Sequence, residues 1–143
     1  MSDINRILTM MRHARAVFYE IETFDDSPLL RIVMRGYWTM ATFGDFMRDC
    51  GEAIQRLMAR YGRFDMLSYC DDFAIQGPDV SAAFEQLKQQ AAETPQNRLA
   101  IVTSKALGRM QAERLLGNSH SKIFSTEAAA LAWLASPSPT NAR

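Results

Sequence analysis

The sequence predicts an α/β fold: a five-stranded mixed, mostly parallel sheet with four helices in the order β-β-α-β-α-β-α-β-α. Three observations predict it. Two β-rich runs near the start are separated only by a turn cluster, which makes them an antiparallel hairpin. Beyond residue 42, helical stripes alternate with short apolar runs, the pattern of parallel strands joined by crossover helices. The run at 98–103 is almost continuously apolar, as in a strand covered on both faces.

Residues 17–22 alternate and favour β structure, and 29–35 form the second arm of the hairpin. Between them, Asp25, Asp26, Ser27 and Pro28 supply turn chemistry. Gly36 ends the second strand, where glycine's backbone freedom is useful. A helix follows over 42–61, because Phe43, Phe46, Met47, Cys50, Ile54, Leu57, Met58 and Tyr61 recur at steps of three and four. Thr42 with Asp45 resembles a capping box, and Gly62 suits the terminating position.

Residues 64–70 read as the third strand and 71–78 as a loop. Asp79 is the expected N-cap of a helix carrying Val80, Phe84, Leu87 and Ala91, closed by Pro95. After the strand at 98–103, Ser104 caps a helix over 106–116, ended by Gly117 and Asn118. Ile123 and Phe124 form a fifth short strand. Ser125 caps a last helix through Leu134, with Glu127 in its first turn, where the helix dipole favours an anion. Trp133 is a packing residue of that helix. Residues 16–135 are thus expected to be one domain, after an N-terminal extension (1–15) and before a disordered tail (136–143).

Composition bounds the function. The 143 residues are 48% hydrophobic, enough for a sizeable core, and 16 basic residues balance 16 acidic ones. Zero formal charge offers no field for a charge-driven nucleic-acid binder. No apolar run is long enough for a transmembrane segment. Cys50 and Cys70 are expected as reduced core thiols, which with no secretory signature points to the cytoplasm. There is no GxGxxG, no GxxxxGK[ST], no HExxH, no CxxC and no GxSxG. His13 and His120 stand apart from any ligand cluster, so no metal and no cofactor is expected.

The candidate residues gather at the carboxyl edge of the sheet, where open α/β folds place ligands. Asp71 and Asp72 follow the third strand; a metal or acid/base role competes with plain turn formation. Trp38 and Thr39 follow the second strand. Trp38 would either anchor a partner or plug the sheet end against the first helix. Ser104 and Arg109, with Gln111, begin the third helix. They could hold an anion, or Ser104 could simply cap the helix beside a solvated Arg109.

The passages LRIVMRGYWTMATFGDF (30–46), RLAIVTSKALGRMQAERL (98–115) and KIFSTEAAALAWL (122–134), with the opening hairpin, resemble the SpoIIAA-like branch of the STAS superfamily. The likeness spans 17–134 and rests on element order and patterning. It implies a regulatory domain. The best-known relatives, the anti-sigma factor antagonists, bind a kinase-like partner and are switched by serine phosphorylation within an Asp-Ser-(Ser/Thr)-Gly motif. That motif is missing at 77–82, where only Ser81 offers a hydroxyl as a phosphoacceptor, with Asp79 opposing a phosphate.

Three functions compete. The leading one is a non-enzymatic interaction or regulatory domain with a protein partner. The second is a small-molecule binder of lipid or nucleotide, since the β-α plan resembles lipid-carrying CRAL-TRIO domains and nine methionines could line an adaptable pocket. The third is an enzyme using Asp71 and Asp72 with Tyr69 or Arg109. A homodimer is also expected if the helices gather on one sheet face and leave the other to be covered.

Overall fold

The computed structural model describes residues 13–15, 17–91, 98–118 and 120–137. Its elements are β1 (His13–Arg15), β2 (Tyr19–Phe24), β3 (Ser27–Gly36), α1 (Met40–Tyr61), β4 (Asp65–Phe73), α2 (Pro78–Ala91), β5 (Leu99–Val102), α3 (Ala106–Leu116), β6 (Ser121–Phe124) and α4 (Glu127–Ala135). Strands β2 to β6 and the four helices follow the predicted order. β1 is an addition: three residues from the segment read as an extension pair antiparallel with β2. Three residues are too few to carry an alternation signal.

Neighbours in sequence are neighbours in space, with the sheet order β1-β2-β3-β4-β5-β6. β2 and β3 are antiparallel; β3 through β6 run parallel. Crossovers that always step one strand onward in the same hand put their helices on one side of the sheet. Buried residues of α1 (Phe46, Cys50, Ala53, Leu57), α2 (Val80, Phe84) and α3 (Ala112, Leu115) accordingly share one core with Ile21, Ile32, Met34 and Ile101. The opposite face carries a smaller core, where Ala130, Trp133 and Leu134 of α4 cover Leu67, Ala100 and Val102. Over β2 and β3 that face is polar instead, with Glu22–Arg31 and Glu20–Arg35 ion pairs at 2.7 and 2.9 Å. A sheet face built this way tolerates water.

Trp38 sits at the centre of the larger core, 1% exposed. Its ring packs against Phe46, Phe73, Phe84 and Tyr19 at centroid distances of 4.9, 5.1, 5.7 and 6.0 Å. Its indole N–H donates to the Arg35 carbonyl. Tyr19 is also tied to α1, donating its hydroxyl to Asp49 at 2.6 Å. α4 is fastened at its C-terminus, where the Arg98 guanidinium donates to the carbonyls of Trp133 and Leu134 and lies over the Trp133 ring.

Several helix caps differ from the sequence reading. α1 begins two residues early, because the Thr39 hydroxyl accepts from the Thr42 amide. Asp45 pairs with Arg48 rather than closing a box. α4 is capped by Thr126, not Ser125. α2 starts at Pro78, a residue suited to a first helical position, and Asp79 lies inside the first turn. Pro95 lies outside the described residues, as do most of the extension (1–12) and the tail from 138. Gly62 does end α1, with φ of +71° and its amide on the Met58 carbonyl.

Phe84 touches four other rings. Phe84→Ala is expected to cost about 3–5 kcal/mol, the range for deleting a buried aromatic. Urea unfolding followed by circular dichroism checks this; a loss under 1 kcal/mol would remove the ring cluster from its central place.

Burial pushes the thiols of Cys50 and Cys70 up to about 12, with the Asp49 and Asp71 carboxylates adding to it. Burial likewise pushes the Tyr69 phenol up to about 12, with Glu127 reinforcing the shift and Arg31 opposing it. Each group holds its proton more tightly folded than unfolded. Their stabilisation is therefore whole below an unfolded thiol's pKa of 9.0 and drains away as pH climbs toward 12. The unfolding midpoint is expected to fall steadily through that alkaline window. A C50A/C70A variant should show a shallower slope, and an unchanged slope would refute the assignment.

A sealed carboxyl edge as candidate functional site

Each of the parallel strands β3, β4 and β5 delivers a loop to the same end of the sheet. The first carries Gly36 to Thr39. Gly36 takes a left-handed φ of +80°, and a Cβ there would press on the Phe18 ring. This turn sends Trp38 inward and leaves Tyr37 outside, 58% exposed.

The second loop folds around Gln76, whose side chain is buried with only 6% exposure. Its carbonyl oxygen accepts from the Trp38 amide at 2.8 Å, and its amide nitrogen donates to the carbonyls of Gly36 and Ala74. Its backbone N–H donates to the side-chain oxygen of Gln111 on α3, also at 2.8 Å. Gln111 returns a bond to the Ala74 carbonyl. One buried amide thus joins the β3–α1 loop, the β4–α2 loop and α3. Polar groups excluded from water this thoroughly must be satisfied by one another.

Asp71 and Asp72 lie within β4, not in a loop, because a register shift after Val33 lets pairing continue through Arg35–Asp72 and Gly36–Phe73. The Asp71 carboxylate accepts from the Ser104 amide at 2.7 Å and lies 3.3 and 3.4 Å from its hydroxyl. Asp71, not Ser104, therefore serves the start of α3, where Lys105 occupies the N-cap position without a side-chain cap bond. Lys105 bridges the Asp71 carbonyl and, at 3.8 Å, the Asp72 carboxylate. Asp72 remains 79% exposed.

The structure brings Asp71, Asp72 and Ser104 together but leaves the other candidates apart. Arg109 points to solvent on the outer side of α3. Thr39 is spent on its cap, and Trp38 is the plug rather than an exposed anchor. The Tyr69 hydroxyl is shut from solvent, with the Arg31 guanidinium over its ring and Glu127 nearby. Ser81 is buried: its hydroxyl sits 3.4 Å from the Gln76 carbonyl and 3.3 Å from the Arg114 guanidinium. A phosphate could reach it only if that packing opened. No group of three or more metal-ligating side chains gathers among the described residues. Beneath α3, an apolar gap too narrow to hold a water molecule is lined by Cys70, Phe73, Gly108, Gln111, Ala112, Leu115 and Leu116. Ligand pockets start at roughly 300 Å³.

What the sequence reading missed is the outer surface of this edge. Tyr37, Ile75 and Met110 are the chain neighbours of Trp38, Gln76 and Gln111, the three residues hydrogen-bonded together inside. With the inner set buried, the outer set faces solvent: Ile75 is 52% exposed, and Leu107 and Met110 are each 66% exposed. Met40, at the start of α1 and three residues after Tyr37, is exposed as well. The signal was available on α3, where Gln111, Ala112 and Leu115 form the buried stripe and Leu107 and Met110 fall outside it.

These features define a mixed α/β domain whose sheet edge is closed by its own side chains and whose apolar residues are turned outward. A family model described as SpoIIAA-like matches residues 29–135, from within β3 to the end of α4. The chain belongs to the SpoIIAA-like family. No curated protein and no solved structure matches it. Among the described residues no helix is long and apolar enough to cross a membrane.

The Gln76 network makes a quantitative demand. Gln76→Leu keeps the backbone bond to Gln111 but orphans the buried Trp38 amide, a loss of about 1–3 kcal/mol. Asp71→Ala removes an exposed cap and should cost about 1 kcal/mol or less. Chemical denaturation of both variants tests the ranking, and the reverse order would show that the edge is not held by the buried amides.

Proposed function

We propose that the chain is a non-enzymatic regulatory interaction domain of the STAS type that binds a protein partner at the carboxyl edge of its sheet. The observation that carries this reading is the division of that edge. Trp38, Gln76 and Gln111 fill the crevice where an open α/β sheet would take a ligand, while Tyr37, Ile75, Leu107 and Met110 stand exposed around it. Exposed apolar and aromatic groups bounded by polar ones mark contact surfaces. The polar rim is present in Asp71, Asp72, Lys105 and Arg109.

Family membership supports a regulatory role. Catalysis gains no support from the placement of its candidates: Asp71 is committed to α3, Tyr69 is shielded, and no contact joins Arg109 to either carboxylate among the described residues. A lipid or nucleotide carrier would need more room than the gap under α3 provides. Two buried free thiols suit a reducing compartment, and we place the domain in the cytoplasm.

The test is comparative capture from native lysate with gentle cross-linking, using the wild-type chain and an L107D/M110D variant. Both positions are exposed, so the variant should keep the wild-type circular dichroism spectrum. The expected result is a discrete protein recovered by the wild type and lost with the variant. Recovery of the same proteins by both would overturn the proposed surface.

A further inference from the structure

Of the four described helices, α4 has the slightest hold on the domain. Only Ala130 of its nine residues is buried, Trp133 and Leu134 are partly so, and the other six are exposed. An isolated helix shorter than about 12–15 residues is marginal in water. α4 is therefore helical only while docked, and undocking and melting are one step. No described element follows it in the chain, so its release displaces nothing else.

The polar attachment is concentrated at its C-terminal end. The Arg98 guanidinium donates to the Trp133 and Leu134 carbonyls and covers the Trp133 ring. Those carbonyls belong to the last turn, where the helix dipole gathers negative charge. Arg98 also lies 3.8 Å from the Asp65 carboxylate, and both side chains are nearly shut from solvent. Asp65 opens β4 and Arg98 precedes β5, so the ion pair stays with the sheet when α4 leaves. Water can then replace the two carbonyls, and no charge is stranded without a partner.

Beneath α4, Leu67, Ala100 and Val102 form an apolar trough, flanked by Tyr69 and Phe124. This cluster shares no residue with the larger core under α1, α2 and α3. Opening one therefore need not open the other. We propose that α4 is a latch that undocks as a unit while the rest of the domain stays folded. Arg98 sets how often it opens, and the trough beneath is a second, normally covered surface. This inference does not depend on the contact surface proposed above.

Thiol labelling of the full chain carrying A100C tests it. Ala100 is fully buried beneath α4. Cys50 and Cys70 are buried in the larger core and report its opening. A maleimide, with peptide mass spectrometry to assign the sites, should modify position 100 at least about tenfold faster than either native thiol, with a weaker urea dependence. R98A should speed that labelling by about tenfold or more, because bonds to a charged donor are lost. V80A, which thins the larger core, should speed labelling of Cys50 and Cys70 and leave position 100 unchanged. Hydrogen exchange on the unsubstituted chain gives the same comparison without the new thiol: the α4 amides should exchange at least about tenfold faster than those of β4 and α1. Labelling of all three thiols at one rate overturns the latch, as do α4 amides as protected as those of β4. Equal acceleration of all three thiols by V80A does so too. An R98A variant that labels no faster removes Arg98 as the fastening.

Discussion

A single buried carboxamide sets the form of the sheet's carboxyl edge. Gln76 can neither be solvated nor left unpaired where it lies, so its donors and acceptor must find partners within the protein. It finds them on two loops, and its backbone finds the side chain of Gln111 on a helix about 35 residues further on. Once these bonds form, the Gly36–Thr39 turn, the Phe73–Gly77 segment and α3 are fixed relative to one another. Trp38 is held over the aromatic cluster because its own amide is one of the partners. The core and the polar network therefore order each other: the rings exclude water from Gln76, and Gln76 holds the most central ring in place.

The one-sided placement of α1, α2 and α3 follows from strand order and, among the described residues, leaves the second sheet face with a single nine-residue helix. The chain meets this asymmetry by changing the chemistry of that face along its width. Under α4 it offers Leu67, Ala100 and Val102. Where none of the described helices reaches, β2 and β3 offer Glu20, Glu22, Arg31 and Arg35 in cross-strand pairs. Such pairs contribute little net energy when partly exposed. Their use is that water can cover them. The expectation that this face must be buried by a second copy loses its motive here.

Much of this architecture was legible in the amino-acid order. The hairpin, the stripe of α1, the apolar run of β5 and the alternation of strands with helices gave β2 to β6 and all four helices. Periodic burial imprints itself on sequence, and these are periodic features. The caps were harder, because Thr39 and Thr42, or Ser125 and Thr126, offer interchangeable hydroxyls within a few residues. Asp71 and Asp72 read as a loop because aspartate is rare in strands. Only the register shift against β3 extends β4 across them. Gln76 left no trace at all. A buried glutamine is indistinguishable by type from a solvated one, and its partners at Trp38 and Gln111 lie 38 and 35 residues away. That the strand-end residues gather at one end of the sheet was therefore legible, while the interior of that end and its exposed rim were both invisible.

Filling the crevice also changes what the edge is suited to recognise. A concave site gains affinity by surrounding a small ligand, and its polar groups must be free to meet it. Here the polar groups are consumed internally and the hollow is occupied by an indole. What remains outside are exposed loop and helix residues, Tyr37, Ile75, Leu107 and Met110. They can bury apolar area against another macromolecule. Their rigidity matters as much as their composition. Tyr37, Ile75 and Met110 are each one residue from a member of the buried network, so little conformational freedom is lost when a partner covers them. The same bonds that hold Trp38 over the core would pre-organise this edge for the protein contact proposed above.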